Sequence, residues 1–178
     1  MIYVVDVIGD ICKKVSEKLK FEIHYQHGHP VEIIETLQQR EDSTTLRFKK
    51  YPAIFLFQDF TETMGELGIA SNAKLHILIV AATDRDYKAS QRYEKNFKPT
   101  LYPIYFELLN QIFKSGKVMV SSANKIIHTK MDRLFWGRNG LYKNDANVFN
   151  DYLDAIEITD LQLKFYQPVC LIGCATNN

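Results

Sequence analysis

Histidines and a few clustered carboxylates are the groups in this 178-residue chain that could do acid–base or metal chemistry. His24, His27 and His29 stand as H-x-x-H-x-H, and imidazoles gathered on a strand-to-turn segment suit zinc or nickel. No cysteine or carboxylate at ligand spacing supports them, so surface and turn histidines are the simpler reading. His76 falls inside an apolar strand and reads as a satisfied core or interface histidine. His128 would face Asp132 only if that stretch were helical. Of the carboxylate pairs, Asp84 with Asp86 lies beside Arg85 and Lys88 in a solvated loop, and Asp151 stands near Asp154. There is no G-x-S-x-G elbow, no cysteine with a base set by a motif, and no glycine-rich phosphate loop. No catalytic, cofactor-binding or metal-ligating residue is assigned from these patterns.

Residues 85–98 carry a different signal. Arg85, Lys88, Arg92, Lys95 and Lys98 interleave with Tyr87, Tyr93 and Phe97, a mixture that can track a nucleic-acid strand. Asp84, Asp86 and Glu94 offset three of the five cations, which favours a solvated segment at a subunit contact. The net charge of +1 argues the same way, because nucleic-acid binders carry a clear basic excess.

Composition bounds the class. Hydrophobic residues at 46% and charged residues at 24% are those of one folded domain with a sizeable core. The three cysteines, Cys12, Cys170 and Cys174, are an odd set without compact spacing and read as reduced thiols. No apolar run approaches the roughly 20 residues that span a bilayer. Asp6 and Asp10 interrupt the first apolar stretch, so neither a membrane association nor a signal peptide is expected.

The elements that must position these groups follow from periodicity. Val4, Ile8, Ile11, Val15 and Leu19 recur at helical steps, with Gly9 as a weak point. Residues 21–26 alternate as a short strand, and Pro30 opens a helix over 30–40. Residues 41–50 form a polar loop or arm. YPAIFLFQDF (51–60) and KLHILIVAAT (74–83) are apolar on both parities, as strands covered on both faces are. Pro52 belongs at the start of the first, and residues 61–72 read as a loop. After the charged stretch 84–99 comes a helix over 101–113, with Leu101, Ile104, Tyr105, Leu108, Leu109, Ile112 and Phe113 on one broad face. Residues 117–150 are poorly patterned, with turns expected at Gly137 and Asn139–Gly140. In the last strand Ile156 and Ile158 have one parity and Leu161, Leu163 and Phe165 the other. One extra residue near Thr159–Asp160 would bring all five to the same side, so a β-bulge is predicted there. The expected fold is α+β: a single domain over 1–165 with projecting loops 41–50 and 84–98, and a C-terminal tail over 166–178. Its central, mostly antiparallel sheet is packed by the N-terminal helix and a long amphipathic helix at about 100–115.

In this order, YPAIFLFQDF, KLHILIVAAT, LYPIYFELLNQIF and DAIEITDLQLKF, together with RLFWGRNGLYKNDANVFNDYLDAIEI, resemble tail-terminator and tail-completion proteins of the tailed-bacteriophage neck. The resemblance covers most of residues 1–165 and rests on element order and texture. It implies a virion structural protein, made in the host cytoplasm, that forms a homo-oligomeric ring, commonly a hexamer. Such a ring ends the tail tube or joins it to the head, without covalent chemistry and without a cofactor. Its partners would be further copies and other neck, connector or tail-tube proteins, with nucleic acid at most passing through the lumen. By position the loops 41–50 and 84–98 would meet neighbouring subunits, which makes Arg47, Lys49, Lys50, Arg85, Tyr87, Arg92, Tyr93 and Phe97 the interface candidates. The segment 117–150 and the tail after Pro168 depart from the smaller members of that group. A small enzyme and a nucleic-acid-binding accessory protein are the competing readings.

Overall fold

Val4, Val7, Ile8, Ile11 and Val15 sink into the core along one stripe of α1 (Val4–Leu19), as their spacing requires. The computed structural model describes residues 3–41, 49–65, 70–120, 125–136 and 151–166. After α1 come β1 (His24–Gly28), α2 (Pro30–Glu41), β2 (Ala53–Met64) and β3 (Ala70–Ala82). A helical run of three parts follows: α3 (Ala89–Arg92), a π-helical stretch (Tyr93–Leu101) and α4 (Tyr102–Lys114). β4 (Val118–Val120), β5 (Thr129–Trp136) and β6 (Leu153–Tyr166) complete a single compact α+β domain.

Among the described residues the sheet has six strands in the order β1-β2-β3-β6-β4, with β5 also on β6. Among these strands β1 and β2 run parallel and the rest antiparallel, and α2 supplies the crossover a parallel pair needs. β3 and β6 are the longest partners, from Ala70↔Tyr166 to Ala82↔Leu153. Alternate residues of the sheet build two cores. On one face Ile54, Leu56, Leu75, Ile77, Ile79, Ile156, Ile158 and Phe165 meet α1, α4 and the π-helical stretch. On the other, Phe55, Phe57, Leu78 and Val80 meet Ile33 and Leu37 of α2. Two-sided cover is why Ala53–Phe57 is buried at every position.

The bulge expected at Thr159–Asp160 is present. Leu75 pairs Leu161 while Ile77 pairs Ile158, so β6 spends one residue more than β3 there, and Asp160 takes φ 52°. Ile156, Ile158, Leu161, Leu163 and Phe165 consequently share the larger core. β2 is irregular at the same level: Phe57 pairs His76, but Thr61 already pairs Lys74. Both neighbours of β3 therefore carry extra residues beside Leu75–Ile77, where bulges increase bend and twist.

Three expectations need correction. Residues 61–72 are not simply a loop: β2 continues to Met64 and β3 begins at Ala70, so the hairpin is longer than its apolar part. Cross-strand hydrogen bonds extend a hairpin through polar residues that no hydrophobic pattern marks. Residues 84–98 are not a projecting loop either. Asp86 N–H bonds the Asp84 carboxylate to close a turn, and from Ala89 the chain is helical, passing through Pro99. Proline clashes with the carbonyl one α-helical turn back, and the wider π-helical winding relieves that clash. Gly9, finally, is a close approach and not a defect, since a Cβ there would stand 3.1 Å from the Tyr25 ring. Residues 42–48 of the expected arm, the turns at Gly137 and Asn139–Gly140, and the tail beyond Tyr166 lie outside the described residues.

Candidate interaction surface

The helical run presents its second side to solvent. Ile104, Leu108 and Ile112 are buried, whereas Phe106 is 64% exposed, Phe113 46% and Tyr93 47%. Phe113 had been expected on the core face. One further residue along a 3.6-residue turn rotates it about 100° away from Ile112, past the edge of the sheet contact. Phe106 and Phe113 are seven apart, which is two helical turns and one surface stripe.

Tyr93 and Phe106 are joined through Tyr102. Tyr93 lies edge-on to Tyr102 at 6.1 Å, Tyr102 meets Phe106 at 6.4 Å, and Phe106 meets Tyr105 at 5.2 Å. β5 fixes the row from the side. Tyr102 Oη–H donates to Asp132 at 2.8 Å, and the Lys130 ammonium pairs with Asp132 while lying 4.9 Å from the Tyr102 ring centre. Desolvation, then the adjoining Asp132 carboxylate, pushes the Tyr102 phenol up to about 12. His128 Nδ1 lies 2.9 Å from the Ile126 carbonyl, which can only accept, so in its neutral form Nε2 accepts the Tyr105 hydroxyl at 2.7 Å. Asp132 thus serves Tyr102 and not His128, because this stretch is a strand and not a helix.

Beneath the row, Arg92 is 1% exposed and uses its whole donor set. Nε donates to the Tyr87 carbonyl at 2.8 Å, Nη1 to Thr83 and Asp154 at 2.9 Å each, and Nη2 to the carbonyls of Asp84 (2.7 Å) and Arg85 (3.3 Å). Asn96 donates to the other oxygen of Asp154 at 2.9 Å, and the Phe135 ring covers the guanidinium at 3.6 Å. Arg92 and Phe97, both offered as interface residues, are therefore interior. The first organises the turn after β3, and the second is 3% exposed in the core. Lys50 is interior too, 4% exposed and 2.6 Å from Asp151. Lys49, Arg85 and Tyr93 are at the surface, and Tyr87 is half-buried against the Lys95 ammonium at 4.2 Å. Arg47 lies outside the described residues.

The other histidines have local partners. His24 faces Gln26 at 3.4 Å and the Phe55 ring, His76 meets Glu157 at 3.1 Å, and His29 Nδ1 accepts the Val31 N–H at 3.3 Å. Among the described residues no three His, Cys, Asp or Glu side chains converge as metal ligands, and no helix is long and apolar enough to cross a membrane. The fold defines a class, an α+β domain with an aromatic row on its outer helix. No protein-family model matches the chain, and no curated protein is significantly similar to it.

Proposed function

We propose that this chain is a structural subunit of the neck or tail of a tailed bacteriophage, acting by docking and not by catalysis. In this reading it assembles into a homo-oligomeric ring that ends the tail or joins it to the head, and it resides in the virion. The observation that carries the docking part is the exposed row Tyr93, Phe106 and Phe113 on one helical run. Large aromatic side chains left in water are the usual anchors of protein interfaces, and a contiguous apolar patch marks such a surface. The charged groups beside it, Lys130 and Asp132, would form a polar rim, and with Arg133 on the other face of the strand they would also discourage indiscriminate pairing along the edge of β5. The phage setting rests on the resemblance of the four sheet and helix segments. A ring requires a heterologous contact, one patch meeting a different patch on the next copy.

Sedimentation of the purified chain over a range of concentrations, alone and mixed with its neck and tail neighbours, tests the reading. A closed oligomer, visible as rings by electron microscopy, is expected. A strict monomer under both conditions refutes it.

A further inference from the structure

On the outer half of the sheet beyond the paired bulges, one face carries no helix among the described residues. Register places Thr61, Lys74 and Gln162 side by side across β2, β3 and β6, and Thr63, Asn72, Lys164 and Met119 in the next row. These side chains line an open concavity of about 510 Å³, together with the edges of Val120, Leu163 and Ala73. On the inner half of the same face the polar groups satisfy each other: His76 meets Glu157 at 3.1 Å and Arg133 donates to Glu157 at 2.8 Å. On the outer half they do not. Among the described residues the side chains of Thr61, Thr63, Asn72, Lys74, Gln162 and Lys164 make no hydrogen bond or ion pair. Among the described residues the lining contains two cations and no carboxylate.

We infer that this concavity is a docking site for an acidic polypeptide segment, one that brings carboxylates to Lys74 and Lys164 and an apolar side chain to Met119. Lys74 and Lys164 are diagonal neighbours across β3 and β6, about 7–8 Å apart at the backbone, so two carboxylates on one segment can reach both. Asn72, Gln162, Thr61 and Thr63 add hydrogen-bond donors around them. Met119, 52% exposed on β4, which pairs with β6, supplies an adaptable apolar surface next to Lys164. That apolar element suits a peptide better than a nucleic-acid backbone, and among the described lining residues there is no aromatic ring for base stacking. The site lies on the sheet and not on the helical aromatic row, so it stands independently of the ring reading.

Methyl and 15N–1H amide NMR on the full chain tests this, since four methionines give a readable methyl spectrum. The probes are a capped Glu-Glu-Leu-Glu-Glu peptide, the same peptide with Gln in place of Glu, and a 12-base-pair duplex, each at low salt. The acidic peptide should shift the Met119 methyl and the Asn72 and Gln162 side-chain amides, with Met131 unmoved, and the shifts should shrink as salt screens the charges. Lys74→Gln/Lys164→Gln should abolish them, while Lys13→Gln/Lys14→Gln on α1, equally exposed, should leave them intact. Both pairs are surface changes that keep the fold, checked by unchanged thermal unfolding. Equal shifts with the Gln peptide, shifts that survive loss of Lys74 and Lys164, tighter capture of the duplex, or no shift at all would overturn the inference.

Discussion

Arg92 and Asp154 meet at 2.9 Å with side chains 1% and 0% exposed, one from the helical run and one from the inner end of β6. The pair locks the turn after β3 to the helix and the last strand together. Removing one partner of such a pair leaves a buried charge uncompensated and costs about 3–5 kcal/mol. Arg92→Met should therefore lower the melting temperature by roughly 6–20 °C for a domain of this size. Arg92→Met/Asp154→Leu should cost less than Arg92→Met alone, because both charges leave together. Calorimetry on the parent chain and the two variants decides it, and a double variant no more stable than Arg92→Met refutes the linkage.

Phe97 and Phe106 should answer oppositely to truncation. Phe97→Ala empties a core position and should destabilise the fold by about 3–5 kcal/mol. Phe106→Ser/Phe113→Ser should leave unfolding of the chain nearly unchanged, since both rings are exposed, yet should reduce the sedimenting mass of the proposed oligomer. Denaturant titration and sedimentation read the two effects separately.

Asp160 carries the bulge at φ 52°, a conformation glycine adopts freely, aspartate tolerates and β-branched residues resist. Asp160→Gly should keep the fold without loss greater than about 1 kcal/mol, whereas Asp160→Val should cost about 1–2 kcal/mol. Deleting residue 160 should be far worse, because Leu161, Leu163 and Phe165 would turn from the core to the opposite face. Urea unfolding of the three variants gives the ranking.

Burial first, then the nearby Arg40 charge, hold the His24 imidazole below its ordinary 6.5. The unfolded chain thus binds the proton at a higher pH than the native one. Stability should rise with pH through the window just below 6.5 and fall as the solution is acidified across it. His24→Gln should flatten that slope in a pH series of unfolding free energies, and an unchanged slope would exclude His24 as its source.

Much of the frame was legible where burial is periodic. The stripe of α1, the two-sided burial of Ala53–Phe57 and the parity change in β6 each follow from side chains alternating at the period of their element. The helical run was legible only from Leu101 on, since Pro99 and the charges before it imitate a breaker and a loop. β4 and β5 left little trace, because edge strands bury few side chains and β5 carries Lys130, Asp132 and Arg133. The surface candidates divided for a related reason. Arg92 and Tyr93 are adjacent and both looked solvated, but a helix turns about 100° per residue, so one entered the core and the other remained outside.

By itself, the order of residues determined an α+β frame, the strands at its centre and the bulge that keeps five side chains in one core, because local period and chain parity are properties of sequence alone. Tertiary structure decided which polar residues pay for burial with full hydrogen bonding, as Arg92 does, and which aromatic rings stay in water, as Phe106 does. It also decided that Lys74 and Lys164 share one face of the sheet. These outcomes depend on partners distant along the chain, such as Asp154 for Arg92 and β6 for Lys74, and their positions exist only once the sheet has closed.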